Sequence, residues 1–136
     1  MQKRCTCGHT MKLILRTVIY VHKVSIANVP VFSCDYCSHN EVFPGVKEDL
    51  GQLVGRMGAA PEPQTIFFDE KHEWAGVLAG LIAQKEPIQA ASVARRIEER
   101  TNELLDLLLV ASSLRDETWQ MELRSRLSQL SAQYIS

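Results

Sequence analysis

The chain has 136 residues, 46% hydrophobic and 23% charged, with a net charge of −1, the balance of a soluble globular protein large enough for one domain or two small ones and not of a disordered tail. Residues 1–60 carry seven Lys/Arg against four Asp/Glu, and residues 61–136 eight against twelve, so neither half has the concentrated basic surface of a protein held mainly by phosphate contacts. No stretch is long and apolar enough to span a bilayer: Leu104 to Ala111 falls far short of ~20 residues and contains Asp106.

Met1-Gln2-Lys3-Arg4-Cys5 runs into the first cysteine pair with no apolar signal segment, which predicts a cytoplasmic protein with reduced thiols. The cysteines are Cys5, Cys7, Cys34 and Cys37. Two close pairs separated by a β-rich stretch can surround one Zn²⁺ with four thiolates at about 2.3 Å, so a single structural zinc is expected. Cys34-Asp35-Tyr36-Cys37 has the usual two-residue gap, whereas only Thr6 separates Cys5 from Cys7, with Gly8 placed for a positive φ. His9 and His39 each lie two residues beyond a pair and are alternates for Cys5. Disulfides and an iron–sulfur centre are the remaining readings of the same residues, and solvated loop positions the plain reading of both histidines.

Between the pairs, Met11 to Phe32 is rich in β-branched and aromatic residues and reads as two or three strands, with a turn at His22-Lys23 and a break at Ala27-Asn28-Val29-Pro30. After Cys37 a short helix is predicted from Val46 to about Val54, with Glu48 and Asp49 in its first turn. Two glycines and two prolines in Gly55 to Pro63 mark a linker. The predicted organisation is a small unit over residues 1–56, a linker over 57–65 and a helical domain over 66–136.

In that last part Trp74, Val77, Leu78, Leu81 and Ile82 recur at helical spacing behind a possible Asp69 N-cap. A second helix is predicted from Pro87, with Ala90, Ala94, Ile97, Thr101, Leu104, Leu108 and Ala111 on one stripe. Ser113 and Asp116 have capping-box-like spacing, and a third helix would carry Trp119, Leu123, Leu127, Leu130 and Tyr134 on one face. The competing reading is one long helix from residue 87 to about 134. The fold class expected is therefore α+β, a β-hairpin zinc ribbon followed by a separate three-helix module. Residues 104–110 are apolar nearly all round, which predicts a homodimer through Leu104, Leu105, Leu108, Leu109, Trp119, Leu123, Leu127 and Leu130; packing of the same leucines within one chain is the alternative.

The segment Ile26-Ala27-Asn28-Val29-Pro30-Val31-Phe32-Ser33-Cys34-Asp35-Tyr36-Cys37, followed by a short acidic helix, resembles the YgiT-type zinc finger found at the amino terminus of MqsA-type antitoxins and in small proteins such as YokU. The resemblance covers about residues 1–56. It implies that Cys34 and Cys37, and less regularly Cys5 and Cys7, are zinc ligands, and that the zinc domain contacts protein while a separate helix-turn-helix dimerises and binds operator DNA. The second half departs from that plan: the segment around Lys85-Glu86-Pro87 lacks a glycine turn, and Arg95, Arg96 and Arg100 have Glu98, Glu99 and Glu103 at pairing distance along a helix, a solvated face.

An enzyme is not expected. Four thiolate ligands close a zinc site to water and substrate, and there is no Gly-rich phosphate loop, nucleophile elbow or His-Glu-x-x-His helix. His72 reads as a polar-face residue and His22 as a turn residue. The expected function is a non-enzymatic, cytoplasmic zinc-binding adaptor or regulator acting through protein partners, with an antitoxin-like DNA-binding regulator as the alternative.

Overall fold

Two different apolar periods build two units, residues 1–69 and 70–136, in a computed structural model that describes residues 2–135, with side chains described as far as Ser131. The first unit is built on strands and the second on helices, a mixed α and β chain.

In the first unit, β1 (Gln2–Arg4), β2 (Thr10–Tyr20), β3 (Val24–Ser33) and β4 (Asn40–Val42) form an antiparallel sheet in that order. The sheet curls. Lys3 Nζ reaches Glu41 Oε1 at 2.9 Å although β2 and β3 separate their strands. The expected break at Ala27–Pro30 is a bulge inside one continuous strand: Arg16 pairs Val29 while Val18 pairs Ile26, and Asn28 takes φ 62° to absorb the extra residue. The bulge moves the deeply buried positions from Val24 and Ile26 to Val29 and Val31. The Asn28 amide then donates to Asp69 Oδ1 at 3.0 Å. Pro30 sits mid-strand opposite Leu15 without disrupting the ladder. Its carbonyl accepts from Phe43 N–H at 3.0 Å, so its missing donor faces that side and not β2.

The helix α1 runs from Pro44 to Met57, longer at both ends than the predicted 46–54, with Pro44 in the first turn and Gly58 at φ 75° ending it. Glu48 and Asp49 consequently lie beyond the first turn, so the expected dipole pairing is absent there. Val46 and Leu50 are its buried residues. Residues 64–67, expected to be the end of the linker and the segment leading into the first helix of the helical domain, form β5 (Gln64–Phe67), which pairs in parallel with Val24–Ala27 on the β3 edge that β4 shares at the other end.

In the second unit, α2 (Phe68–Lys71) ends just inside it, followed by α3 (Glu73–Ala83), α4 (Ala90–Ser113) and α5 (Glu117–Ile135). Each cap differs from the predicted one. His72, 2% exposed and not on a polar face, caps α3 by accepting from Trp74 N–H at its Nδ1. Gln89 and Ser92 cap α4 reciprocally, three residues beyond the expected start. Asp116 Oδ1 accepts from Trp119 N–H, so Asp116 and not Ser113 caps α5. Arg115 at φ 55° breaks the chain between α4 and α5, which excludes one long helix. Trp74, Val77, Leu78 and Leu81 of α3, Val93, Ile97, Leu104 and Ala111 of α4, and Leu123 and Leu130 of α5 are buried; the side chain of Tyr134 lies outside those described. No described helix is long and apolar enough to cross a membrane.

A carboxylate ties the three helices together. Glu73 in the first turn of α3 accepts from Arg100 Nε at 2.8 Å and Nη2 at 3.0 Å, and from Arg126 Nε at 2.6 Å. Its amide donates to Gln129 Oε1 at 3.0 Å. Arg95 and Arg96 pair with Glu99, and Arg95 also with Glu86, but Arg100 departs from the expected solvated face by reaching across to α3. Burial pushes the Glu73 pKa up, yet the hydrogen bonds from Arg100 and Arg126 outweigh it and hold the carboxyl below its usual value.

Two outcomes are expected. Glu73→Gln lowers the stability of the helical unit at pH 7 by about 1–2 kcal/mol, allowing for the partly exposed arginines. Because the folded pKa is depressed, the wild-type contribution is complete above the unfolded value of about 4.3 and is lost as pH falls through the lower folded value; urea melts of Glu73→Gln therefore show a flatter pH dependence below about pH 5. The β2–β3 turn places Val21 at φ 46° and His22 at φ 58°, as in a type I′ turn, with Lys23 N–H donating to the Tyr20 carbonyl at 3.1 Å. A β-branched residue is strained there, so Val21→Asn combined with His22→Gly raises stability by about 0.5–1 kcal/mol in the same assay.

Candidate metal centre

Two turns of one design carry the four cysteines. In the first, between β1 and β2, Cys5 N–H donates to the His9 carbonyl at 2.7 Å and Gly8 N–H to the Cys5 carbonyl at 2.9 Å. In the second, between β3 and β4, Cys34 N–H donates to the His39 carbonyl at 2.9 Å and Ser38 N–H to the Cys34 carbonyl at 3.0 Å. Gly8 at φ 95° and Ser38 at φ 61° occupy the same place in each frame. The Cys-x-Cys turn is thus the Cys-x-x-Cys turn with one residue removed between its cysteines, and its closing hydrogen bonds are intact.

The curl of the sheet brings the turns face to face. All four Sγ atoms lie within 4.8 Å of one another, with Cys5 to Cys37 at 3.5 Å and Cys7 to Cys34 at 3.6 Å. A tetrahedron of sulfurs around an ion at about 2.3 Å has edges near 3.8 Å, so the set fits one soft cation. The thiols are free and far beyond the ~2.05 Å of a disulfide. Cys5 and Cys34 are buried, Cys7 and Cys37 exposed.

Backbone amides and crowding pull the thiols in opposite directions. The Cys7 amide is the largest influence on Cys5 and draws its pKa down to about 6, against burial. The His9 amide favours the Cys7 thiolate, but burial and neighbouring sulfurs leave that thiol raised. The His39 amide acts likewise on Cys37, where the Cys5 sulfur, burial and the other cysteines prevail and push it up to about 12. Cys7 and Cys37 thus resist ionisation where Cys5 favours it, and a cation among the sulfurs would remove that conflict.

Neither alternate histidine joins the cluster. His9 Nδ1 approaches only Cys7 Sγ, at 3.6 Å, and the ring stacks on Tyr36 with centroids 3.8 Å apart and planes 14° from parallel. It braces one turn against the other, a role neither ligand nor solvated loop describes. His39 is exposed and contributes its carbonyl to the turn. Sequence spacing could not reveal the stack, because Tyr36 and His9 meet only after the sheet curls.

The expected interface residues divide. Leu104, Leu123 and Leu130 are buried within the chain itself and are corrected to core; Leu108, Trp119 and Leu127 are half-buried; Leu105 and Leu109 are exposed. The exposed apolar residues around them include Leu107, Val110, Leu114 and Met121; Leu114 escaped the helical-stripe reading because it lies in the break between α4 and α5, and Met121 because it lies off the buried stripe of α5.

Cys34→Ser is expected to abolish stoichiometric metal binding, whereas His9→Ala keeps one ion per chain and loses about 10- to 100-fold in affinity, as for an outer-shell group. Titration with Co²⁺, followed by its thiolate charge-transfer absorption, distinguishes the two. No family model matches the chain, and neither a curated protein nor a solved structure matches it.

Proposed function

We propose that Cys5, Cys7, Cys34 and Cys37 hold one structural Zn²⁺, making the first unit a zinc ribbon of the YgiT type, and that the chain acts without catalysis as a cytoplasmic adaptor or regulator that binds other proteins. The observation that carries this reading is the closed set of four mutually adjacent sulfurs. Four thiolates satisfy a tetrahedral ion and leave no position for water or substrate, so the ion's chemistry is to neutralise the thiolates and staple the two turns together. The three helices of residues 70–136 form the partner module, with Leu105 and Leu109 on the exposed contact surface. Protein is preferred to DNA as the partner because Arg95, Arg96 and Arg100 are engaged by carboxylates.

Metal removal tests the proposal. Protein as isolated is expected to carry one zinc per chain by elemental analysis. A strong chelator should unfold the sheet of the first unit, seen as lost amide protection in β2 and β3, while the helical circular-dichroism signal largely persists. Metal-free protein with a fully protected sheet would overturn it.

A further inference from the structure

We propose that the outer edge of β2 pairs with the same edge of a second copy of this chain, joining two sheets antiparallel across a two-fold axis at Thr17. Cys5 N–H bonds the His9 carbonyl, so along the continuing ladder the odd-numbered residues of β2 direct their backbone groups toward β1 and the even-numbered ones toward β3. Tyr20, whose carbonyl accepts from Lys23 across the hairpin, agrees with this alternation. The strand β1 covers only Thr10–Lys12. Beyond it, Leu15, Thr17 and Ile19 present N–H and C=O groups outward, and no turn, loop or side-chain hydrogen bond among the described residues reaches them.

This edge lacks the usual protection. It is long and carries no proline, its only charge is Arg16, and the bulge that could turn an edge away lies in β3. Ile19 is 56% exposed, and Arg16 and Thr17 are exposed as well.

Geometry and charge choose both the occupant and the register. Only residues of equal parity can face each other across such a dyad, because outward groups must meet outward groups. An axis at Arg16 would set two guanidinium groups side by side, which is repulsive. An axis at Thr17 pairs Thr17 with Thr17, Leu15 with Ile19 and Arg16 with Val18 of the second copy. All three outward residues are then used, Thr faces Thr, and no like charges are opposed. Five residues paired on each strand make an interface in the smallest class, below about 1,200 Å², so the dimer is weak and concentration-dependent. The inference rests on the sheet and is independent of what the cysteines bind.

The test is sedimentation of the zinc-loaded full chain from about 1 to 500 μM, the range in which an interface of this size dissociates. A monomer–dimer equilibrium is expected, with the amides of Leu15, Thr17 and Ile19 gaining hydrogen-exchange protection as concentration rises. Thr17→Pro removes an outward donor and leaves the β2–β3 ladder its bonds, and Ile19→Lys places a charge on the edge; each should weaken dimerisation at least about 30-fold. Met121→Lys, on the helical unit, should leave it unchanged. If Thr17→Pro does not fold, as judged by β2–β3 amide protection, Ile19→Lys decides. A wild-type chain monomeric throughout, an edge that pairs only with a different protein's strand, or a dimer sensitive to Met121→Lys and not to Ile19→Lys overturns the proposal.

Discussion

Convergence of four sulfur atoms at the closed end of a curled sheet is the constraint on which the first unit depends. The β2–β3 ladder sets the two cysteine turns at one end, and the curl brings their sulfurs within a few ångströms. Unmodified, such a cluster opposes itself, most clearly at Cys37, where the Cys5 sulfur, burial and the other cysteines raise the thiol's proton affinity. Amide donors relieve part of that opposition, most clearly at Cys5. A cation held among the sulfurs would relieve the rest and tie the two turns together.

The second unit solves its assembly differently. Its three long helices bury a conventional apolar core, and one carboxylate, Glu73, adds direction by accepting from α4 and α5 together. Apolar contacts tolerate sliding along a helix, whereas a bidentate Arg–carboxylate contact is specific in distance and angle. The core therefore supplies most of the stability and the clamp sets the register of the helices.

Much of this plan was legible in the residues. The cysteine spacing, the β-branched run and the later helical period point to a sheet with a metal-competent cluster and to helices after it. Local punctuation was less legible. His72, Gln89 and Asp116 do the capping where Asp69, Pro87 and Ser113 looked suited, because a cap is chosen by where tertiary packing starts the helix, and several polar residues near each start are chemically eligible. The strand β5 was hidden for a related reason: four largely exposed residues carry no alternation to read, and only pairing with β3 makes them a strand.

The sequence by itself determined which chemistry was available: four soft ligands in two pairs, apolar residues of two periods, and arginines spaced to meet glutamates. Tertiary structure alone decided which of these groups meet. It stacked His9 on Tyr36, drew Arg100 from a solvated helix face onto Glu73, turned Leu104, Leu123 and Leu130 from a surface into a core, and left the outer edge of β2 beyond Lys12 without a partner strand among the described residues. The physical reason is common to all four. Spacing along a chain specifies neighbours within one helix or strand, whereas contacts between elements depend on curl, register and crossing geometry, which arise only when the elements pack.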